Sequence, residues 1–223
     1  MDTHIPPNIY QAYLTALIAG DRITCTDIVQ DLRTSGTDIK EIYLHLIQRS
    51  LYDVGDLWEH HRISVAVEHL ASAITERLLS ILETEMFSIP HKTHTVIVAC
   101  IADEFHQIGG RMVSDMFEFQ GWNSHFLGAN TPVRDLISMM QRKKPDLIAL
   151  SVSVYFNIPH LLSALTIIRT QFPSIQILAG GQAFRWGGEG LLERYQPIKY
   201  IRDLDELESW IETYEREYRE VYQ

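Results

Sequence analysis

The stretch TVIVACIADEFHQIGG, residues 95–110, decides the fold of this chain. A run of apolar and β-branched residues ends in an acidic turn, a histidine stands in that turn, and two glycines follow where a helical pattern begins. A strand, a polar turn and a helix start in this order are typical of a parallel α/β sheet. Such sheets bind ligands at the carboxyl ends of their strands, and Glu104 and His106 lie at such an end.

Four further short apolar runs follow, each separated from the next by a helical pattern. The runs are SHFLG (124–128), LIALSVSV (147–154), IQILAGG (175–181) and KYIRD (199–203), and helices are predicted at 109–120, 132–143, 159–171 and 204–221. Near-continuous apolar strands that alternate with helices indicate a parallel sheet covered on both faces. We therefore predict a five-stranded, flavodoxin-like or Rossmann-like α/β domain over residues 92–223.

The residues before this domain show helical periodicity and no convincing strand. Helices are predicted at 8–19, 24–34, 38–60 and 64–86, and the last carries Leu70, Ile74, Leu78 and Ile81 along one face. Short links between amphipathic helices indicate a four-helix bundle over residues 1–88. The predicted fold class is therefore α followed by α/β.

Composition and charge narrow the classes of function. The 223 residues carry a formal net charge of -10, which argues against a basic face for direct DNA binding. The two cysteines, Cys25 and Cys100, predict neither a disulfide framework nor a cysteine metal cluster, and a reducing cytoplasm is the expected location. The N-terminus does not resemble a signal peptide, and no apolar run has the length of a membrane span.

Three short motifs fall at the same predicted edge of the sheet. They are Glu104-x-His106-x-x-Gly109 after the first strand, Ser151-x-Ser153 at the end of the third, and Gly180-Gly181 at the end of the fourth. Each has an ordinary explanation, because turns contain histidines and glycine pairs, and serines satisfy backbone groups at strand ends. The spacing is more specific: about forty residues separate the first motif from the second, and fewer than thirty separate the second from the third.

In order and spacing, these motifs resemble those of the cobalamin-binding domains of methionine synthases, mutases and corrinoid proteins. The resemblance covers the whole second half of the chain. It implies that His106 replaces the cofactor's dimethylbenzimidazole as the lower ligand of cobalt, with Glu104 orienting His106 and Ser151 holding Glu104. The other cofactor-binding residues that it implies are Ser153 and the glycines that would leave room for the nucleotide tail, Gly109, Gly180 and Gly181.

Two departures from the family pattern narrow the resemblance. Glu104 stands where most of these domains have an aspartate. Methyl-carrier proteins also tend to have Asp directly after the histidine and Lys directly after the glycine, where this chain has Gln107 and Gly110. The glutamate form is similar to that of the B12-dependent photoreceptor regulators, which are light-responsive repressors of carotenoid genes.

The helical half resembles the same photoreceptors. In the segment VGDLWEHHRISVAVEHLAS, residues 54–72, Trp58, Glu68 and His69 match the residues that surround the adenosyl group in that family. Taken alone, Trp58 would be read as a core residue and His69 as a polar helix residue. The resemblance implies that the helices at 38–60 and 64–86 lie over the corrin, and that light releases the adenosyl group and shifts the bundle.

The resemblance to the photoreceptors fails at two points. Their tryptophan is followed directly by a histidine that binds cobalt after illumination, and this chain has Glu59 there. His60, His61, His69 or water is then the candidate ligand of the upper face. The photoreceptor repressors also carry an N-terminal winged helix-turn-helix domain, which has no counterpart before residue 8, so direct repression by that route is not expected.

The leading hypothesis is a cobalamin-binding sensor that responds to light through adenosylcobalamin and is not itself an enzyme. It would signal to a partner protein in trans, a transcription regulator or an enzyme, by changing its shape or its homo-oligomeric state. The alternative is a corrinoid methyl carrier loaded and unloaded by separate methyltransferases. A flavodoxin-like interaction domain without a ligand is a third class. Methylcobalamin, hydroxocobalamin and a bilin as a second chromophore stay open.

Overall fold

The computed structural model of the chain describes residues 5–86 and 92–222. By its backbone contacts the chain divides into two compact units, Met1–Phe87 and Ser88–Gln223. The first unit is helical, and the second contains the sheet. Within the described ranges, none of the helices combines the length and the apolar character that crossing a membrane requires.

The first unit contains the four predicted helical regions. Its elements are α1 (Pro7–Ala19), α2 (Arg22–Thr34), α3 (Ile39–Glu41), a π-helical segment (Ile42–Gln48), α4 (Arg49–Glu59) and α5 (Val65–Met86). Helix α1 ends at Gly20, whose φ of 72° lies in the left-handed region that terminates helices. Asp21 then accepts a hydrogen bond from the backbone N–H of Thr24 at 3.1 Å and so caps the start of α2.

The third predicted helix, 38–60, is not a uniform α-helix. Between α3 and α4 the backbone takes the wider π form over Ile42–Gln48. Five of these seven residues are buried: Ile42, Tyr43, Leu44, Leu46 and Ile47. An α-helix presents only about three residues in seven to a core, so the apolar sequence exceeds what one α-helical face can bury. The wider turn is the local solution, and the helical periodicity of the sequence did not predict it.

The apolar face of α5 is rotated from its predicted position. Ile74 and Leu78 are buried as predicted, whereas Leu70 and Ile81 are among the exposed large apolar residues. The buried stripe also contains Ala71, Leu79 and Leu82, which share with Ile74 and Leu78 the spacing of a 3.6-residue helix. The periodicity therefore predicted the helix correctly but misplaced the edges of its buried face.

The second unit is an α/β domain. Its strands are β1 (Thr95–Cys100), β2 (Asn123–Phe126), β3 (Leu147–Ser151), β4 (Gln176–Gly180) and β5 (Ile198–Ile201), and its helices are α6 (Ile108–Phe119), α7 (Val133–Lys143), α8 (Ile158–Gln171) and α9 (Leu204–Tyr222). Alternate strand residues join α7 and α8 in one buried cluster, which includes Ile97, Ile148 and Leu165. The intervening residues of β1 and β3 are buried as well, so both faces of the sheet centre are covered.

The strand order is β2-β1-β3-β4-β5, and every pairing is parallel. The predicted α-then-α/β fold with a five-stranded sheet is therefore confirmed. From β1 the chain moves to one edge of the sheet, and from β3 it moves to the other. The crevice between the carboxyl ends of β1 and β3 is thus the topological switch point at which open α/β sheets bind ligands.

Candidate functional site

Two loops meet at this switch point, one after β1 and one after β3. In the first, Asp103 has a left-handed φ of 64°, and its backbone N–H donates to Asn130 Oδ1 at 2.8 Å. The Asn130 N–H in turn donates to the carbonyl oxygen of Glu104 at 2.8 Å. Asparagine and aspartate tolerate left-handed conformations. The two hydrogen bonds hold the acidic turn in one shape, in which Glu104 points inward.

Glu104 and His106 form the centre of the site. The Nδ1 atom of His106 lies 2.7 Å from Glu104 Oε1, and the His106 backbone N–H donates to the same oxygen at 2.9 Å. The Glu104 side chain is 0% exposed, whereas the His106 side chain is 64% exposed. A buried carboxylate therefore fixes the orientation of an imidazole that projects into solvent, and the predicted contact between the two residues is present.

The other carboxylate oxygen of Glu104 is held by the loop after β3. Glu104 Oε2 accepts the backbone N–H groups of Ser153 at 2.8 Å and Val154 at 3.0 Å, and the Asn157 side-chain amide at 3.2 Å. The predicted relay through the Ser151 hydroxyl is therefore wrong in its third member. Ser151 is the last residue of β3 and its hydroxyl lies beside the Cys100 thiol, while the chain beyond it turns its N–H groups toward Glu104.

These hydrogen bonds decide the charge of Glu104. Burial by itself raises the pKa of this carboxyl group. The His106 ring and the backbone N–H groups of Val154, His106 and Ser153 outweigh burial and lower the pKa from 4.5 to about 2. Glu104 is thus a carboxylate at neutral pH and accepts the Nδ1 proton of His106. The lone pair of the neutral imidazole is then on Nε2.

Glu104→Gln is expected to lower the free energy of unfolding of the apo-protein by about 2–3 kcal/mol at neutral pH, because an amide N–H then faces the donors that a carboxylate accepts. A carboxyl group with a depressed pKa stabilises the fold fully above its unfolded-state pKa of 4.5 and loses this effect as the pH falls toward 2. The difference between wild type and variant should therefore shrink by about 1 kcal/mol at about pH 3.5. Urea unfolding of both proteins across this range measures it.

The matched control for this prediction is Glu193→Gln, because Glu193 is an exposed glutamate of the same unit. This variant should change the free energy of unfolding by less than about 0.5 kcal/mol at any pH. A wild-type advantage over Glu104→Gln that stays constant on acidification would contradict the assignment of the low pKa to Glu104.

Cys100 and Gly110 pack against each other next to the Glu104–His106 pair. A Cβ atom at Gly110 would lie 2.9 Å from Cys100 Sγ and 3.2 Å from Phe126 Cε2, so α6 packs on β1 with no room for a side chain. Burial raises the pKa of the Cys100 thiol to about 12, with a further contribution from the charge of Glu104. The thiol therefore stays protonated and serves as packing rather than as a metal ligand.

The three glycines assigned to the nucleotide tail differ in their surroundings. A Cβ atom at Gly181 would lie 2.1 Å from the carbonyl oxygen of Val152, and one at Gly180 would lie 2.5 Å from that of Ile201. The protein's own backbone therefore requires both glycines. At Gly109, in contrast, an added Cβ atom meets no other atom within 4 Å, so this glycine borders open space beside His106.

The predicted upper-face residues lie in the helical unit. Trp58 is 48% exposed near the end of α4, and Glu68 lies in the first turn of α5, where it accepts the Ser72 hydroxyl at 2.9 Å. His69 Nε2 lies 3.6 Å from Glu68 Oε2. Trp58 is therefore not the buried core residue that its size would suggest.

His60 and His61, the alternative upper-face ligands, lie in the turn after α4. His60 Nδ1 is 2.8 Å from the carbonyl oxygen of Asp56, one helical turn earlier. His61 has a left-handed φ of 57°, which marks the end of the helix. Both side chains are exposed.

Sequence reasoning missed Asn157, Val154 and Asn130 in this site. Ser153 and Val154 act through backbone N–H groups, which side-chain motifs do not reveal. Asn157 lies six residues after Ser151, in the turn before α8, and no spacing rule pointed to it. The available signal was the position of the segment, because it follows the strand that neighbours β1 at the switch point.

The chemistry of this arrangement fits a single axial ligand of a transition metal. Neutral imidazole is a common ligand of such metals, and a carboxylate on its other nitrogen fixes the tautomer and increases donor strength. Within residues 5–86 and 92–222, no three His, Cys, Asp or Glu side chains converge in the manner of a protein metal cage. One exposed imidazole beside open space at Gly109 suits a metal that a macrocycle already holds.

Comparison with protein-family models gives two matches, both described as a B12 binding domain. They cover residues 9–83 and residues 94–202. Among curated proteins, the HTH-type transcriptional repressor CarH of Myxococcus xanthus is 27% identical over 177 residues, or 78% of this chain and 58% of that protein. Trimethylamine corrinoid protein 2 of Methanosarcina acetivorans is 25% identical over 134 residues, or 59% of this chain. The chain thus spans 58% and 62% of the lengths of these two relatives.

Among solved structures, the fold resembles that of the monomethylamine corrinoid protein of Methanosarcina barkeri. The TM-score is 0.79 at 14% sequence identity, over 92% of this chain and 97% of the other. At this identity the likeness concerns the fold alone, and it agrees with the order of a helical unit followed by an α/β unit.

Proposed function

The chain belongs to the B12-binding domain family, and from this membership we propose that it is a cobalamin-binding sensor and not an enzyme. The observation that carries the cobalamin assignment is the pairing of Glu104 with His106. A buried carboxylate at 2.7 Å fixes Nδ1 of an imidazole that is itself largely exposed. His106 would hold cobalt from below through Nε2, and Gly109 would border the displaced nucleotide tail.

Gly110 favours a sensor over a methyl carrier. The carriers that the sequence resembles tend to have a lysine directly after the glycine of the histidine motif, a position that Gly110 occupies here. Even a Cβ atom at Gly110 would lie 2.9 Å from Cys100 Sγ, so the side chains packed around Gly110 would have to shift to admit the carrier's lysine. Gln107, in place of the carrier's aspartate, supports the same choice.

The helical unit supports a photoreceptor role. Trp58, Glu68 and His69 match the residues that surround the adenosyl group in the B12-dependent photoreceptors, and Trp58 is a large aromatic side chain that is half exposed. We propose that these three residues cover the upper face of the bound cofactor. Adenosylcobalamin would supply a light-sensitive cobalt–carbon bond. Loss of the adenosyl group would change the conformation of the helical unit, and a partner protein would respond to that change.

The alternative is a corrinoid methyl carrier. It is favoured by the 25% identity to trimethylamine corrinoid protein 2 over 134 residues. A carrier must expose its upper cofactor face to the active site of a methyltransferase, and a bulky residue such as Trp58 over that face would oppose such access.

The decisive experiment is reconstitution with adenosylcobalamin in the dark, followed by absorption spectra and size-exclusion chromatography before and after green light. We expect the spectrum to change on illumination and the elution volume to change with it. A methylcobalamin-loaded sample and an adenosylcobalamin sample kept in the dark are the controls. If light leaves the absorption spectrum identical to that of the dark control, the photoreceptor role is wrong, and methyl transfer from the methylcobalamin form becomes the reaction to assay.

A further inference from the structure

The loop after β3 contributes one side chain, that of Asn157, to the hydrogen bonds around the Glu104–His106 pair. The two oxygens of Glu104 have separate tasks. Oε1 accepts both the ring and the backbone of His106, whereas Oε2 accepts two backbone N–H groups and the Asn157 amide. Of the described side chains, only Asn157 donates to the oxygen that faces away from His106.

The amide of Asn157 connects two parts of the site. Its Nδ2 atom lies 3.2 Å from Glu104 Oε2 and 3.1 Å from the carbonyl oxygen of Asp103. An amide NH2 group has two hydrogens, and both acceptors can only accept, so the nitrogen and oxygen positions of Asn157 are unambiguous. One side chain thus ties the carboxylate and the acidic turn to the segment that follows β3.

The opposite side of the turn is held by Asn130. Its side chain accepts the Asp103 N–H, and its own N–H donates to the Glu104 carbonyl, each at 2.8 Å. The turn that carries Glu104 therefore lies between two asparagines. Of these two asparagines, only Asn157 donates to the carboxylate itself, so it can influence the orientation of Glu104 directly.

We propose that Asn157 is a positioning residue for the cobalt ligand, in the place that the Ser151 hydroxyl was predicted to take. This inference rests on the proposed function of His106 as the lower ligand. By donating to Oε2, Asn157 holds the carboxylate in the plane in which Oε1 meets His106 Nδ1. It also ties this orientation to the acidic turn, because the same amide donates to the carbonyl oxygen of Asp103 at 3.1 Å.

Two substitutions separate this role from simple packing. Asn157→Ala removes the donor and leaves the two backbone donors to Oε2 in place. Asn157→Asp keeps the shape but replaces the donor with a second carboxylate at the 3.2 Å position. We expect the dissociation constant for cob(II)alamin to rise about 10-fold in Asn157→Ala and further in Asn157→Asp, in the range found for outer residues of metal sites.

The spectroscopic readout is the electron paramagnetic resonance spectrum of cob(II)alamin on protein labelled with 15N-histidine. A coordinated 15N nucleus splits each cobalt line into two, whereas the 14N of the cofactor's own base splits it into three. We expect the two-line pattern in wild type, a reduced share of it in Asn157→Ala, and a smaller share in Asn157→Asp. In the apo-protein, the His106 Nδ1 proton should shift upfield or be lost by exchange in the NMR spectra of both variants.

The outcomes are distinct. An Asn157→Asp protein that ligates cobalt like wild type would show that only the shape of the side chain matters and would overturn the proposal. Loss of the two-line pattern in Ser151→Ala, with Asn157→Ala unaffected, would also overturn it and restore the serine relay. If wild type takes up no cobalamin, the proposed function fails, and the Nδ1 proton of the apo-protein still decides whether Asn157 positions the pair.

Discussion

His106→Ala is expected to remove the lower ligand of cobalt and to weaken cobalamin binding by at least about 100-fold, more than the loss of an outer residue of a metal site costs. In wild type labelled with 15N-histidine, the cob(II)alamin spectrum should show the two-line splitting of a coordinated histidine nitrogen. In His106→Ala the residual bound cofactor should show three lines from its own base or no nitrogen splitting.

The physical reason is the asymmetry of the Glu104–His106 pair. The carboxylate is buried and accepts five hydrogen bonds, so its orientation is fixed before any ligand arrives. The imidazole inherits that orientation through Nδ1 and needs little ordering on binding. Such preorganisation lowers the entropic cost of coordination, and it is lost when the ring is removed.

His160→Ala is the matched control. His160 also pairs with an acid, since its Nδ1 lies 3.2 Å from Asp103 Oδ2, but both of these side chains are about half exposed or more. The His160→Ala variant should therefore keep the two-line spectrum and bind cobalamin with a dissociation constant within a few-fold of that of wild type. A two-line spectrum in His106→Ala would show that a different histidine is the ligand and would disprove the assignment.

The extent to which sequence predicted this site depends on the distance over which each contact acts. Glu104 and His106 are two residues apart in one turn, so a local motif was enough to pair them. The partner of Glu104 Oε2 comes from another strand, and there the side-chain motif failed. The β3 strand ends at Ser151, and the chain beyond it presents the backbone of Ser153 and Val154 instead of a hydroxyl.

The same distinction holds for the fold. The periodicity of apolar residues predicted the five strands and the order of the two parts, and its signal is strongest in the central strands β1 and β3, which are buried on both faces along their length. It did not predict the π-helical segment Ile42–Gln48, since a π turn arises from how many residues the core accepts and not from a repeat in the sequence. The periodicity also placed Leu70 and Ile81 on the buried face of α5, because a repeat in the sequence does not show how many residues the core accepts.

The second large effect concerns stability. Gly181→Ala is expected to lower the free energy of unfolding of the apo-protein by at least about 3 kcal/mol, or to prevent folding of the α/β unit. Gly181 has a φ of 120°, in the region that side chains rarely adopt. Its Cβ atom would lie 2.1 Å from the carbonyl oxygen of Val152 and 2.8 Å from the carbonyl carbon. These are backbone atoms of the residue that follows β3, so relief of the clash requires the backbone at the carboxyl end of this central strand to move.

Gly109→Ala is the matched control and separates glycines needed by the fold from those facing a ligand. An added Cβ atom at Gly109 meets nothing within 4 Å, and alanine is favoured over glycine within a helix such as α6, so the apo-protein should keep its stability or gain about 0.5 kcal/mol. If the space beside Gly109 receives the nucleotide tail, the same variant should bind cobalamin more weakly. Urea unfolding and cobalamin titration of both variants measure the two effects separately. Equal loss of stability in Gly109→Ala and Gly181→Ala would contradict this distinction, because the surroundings of the two glycines predict opposite results.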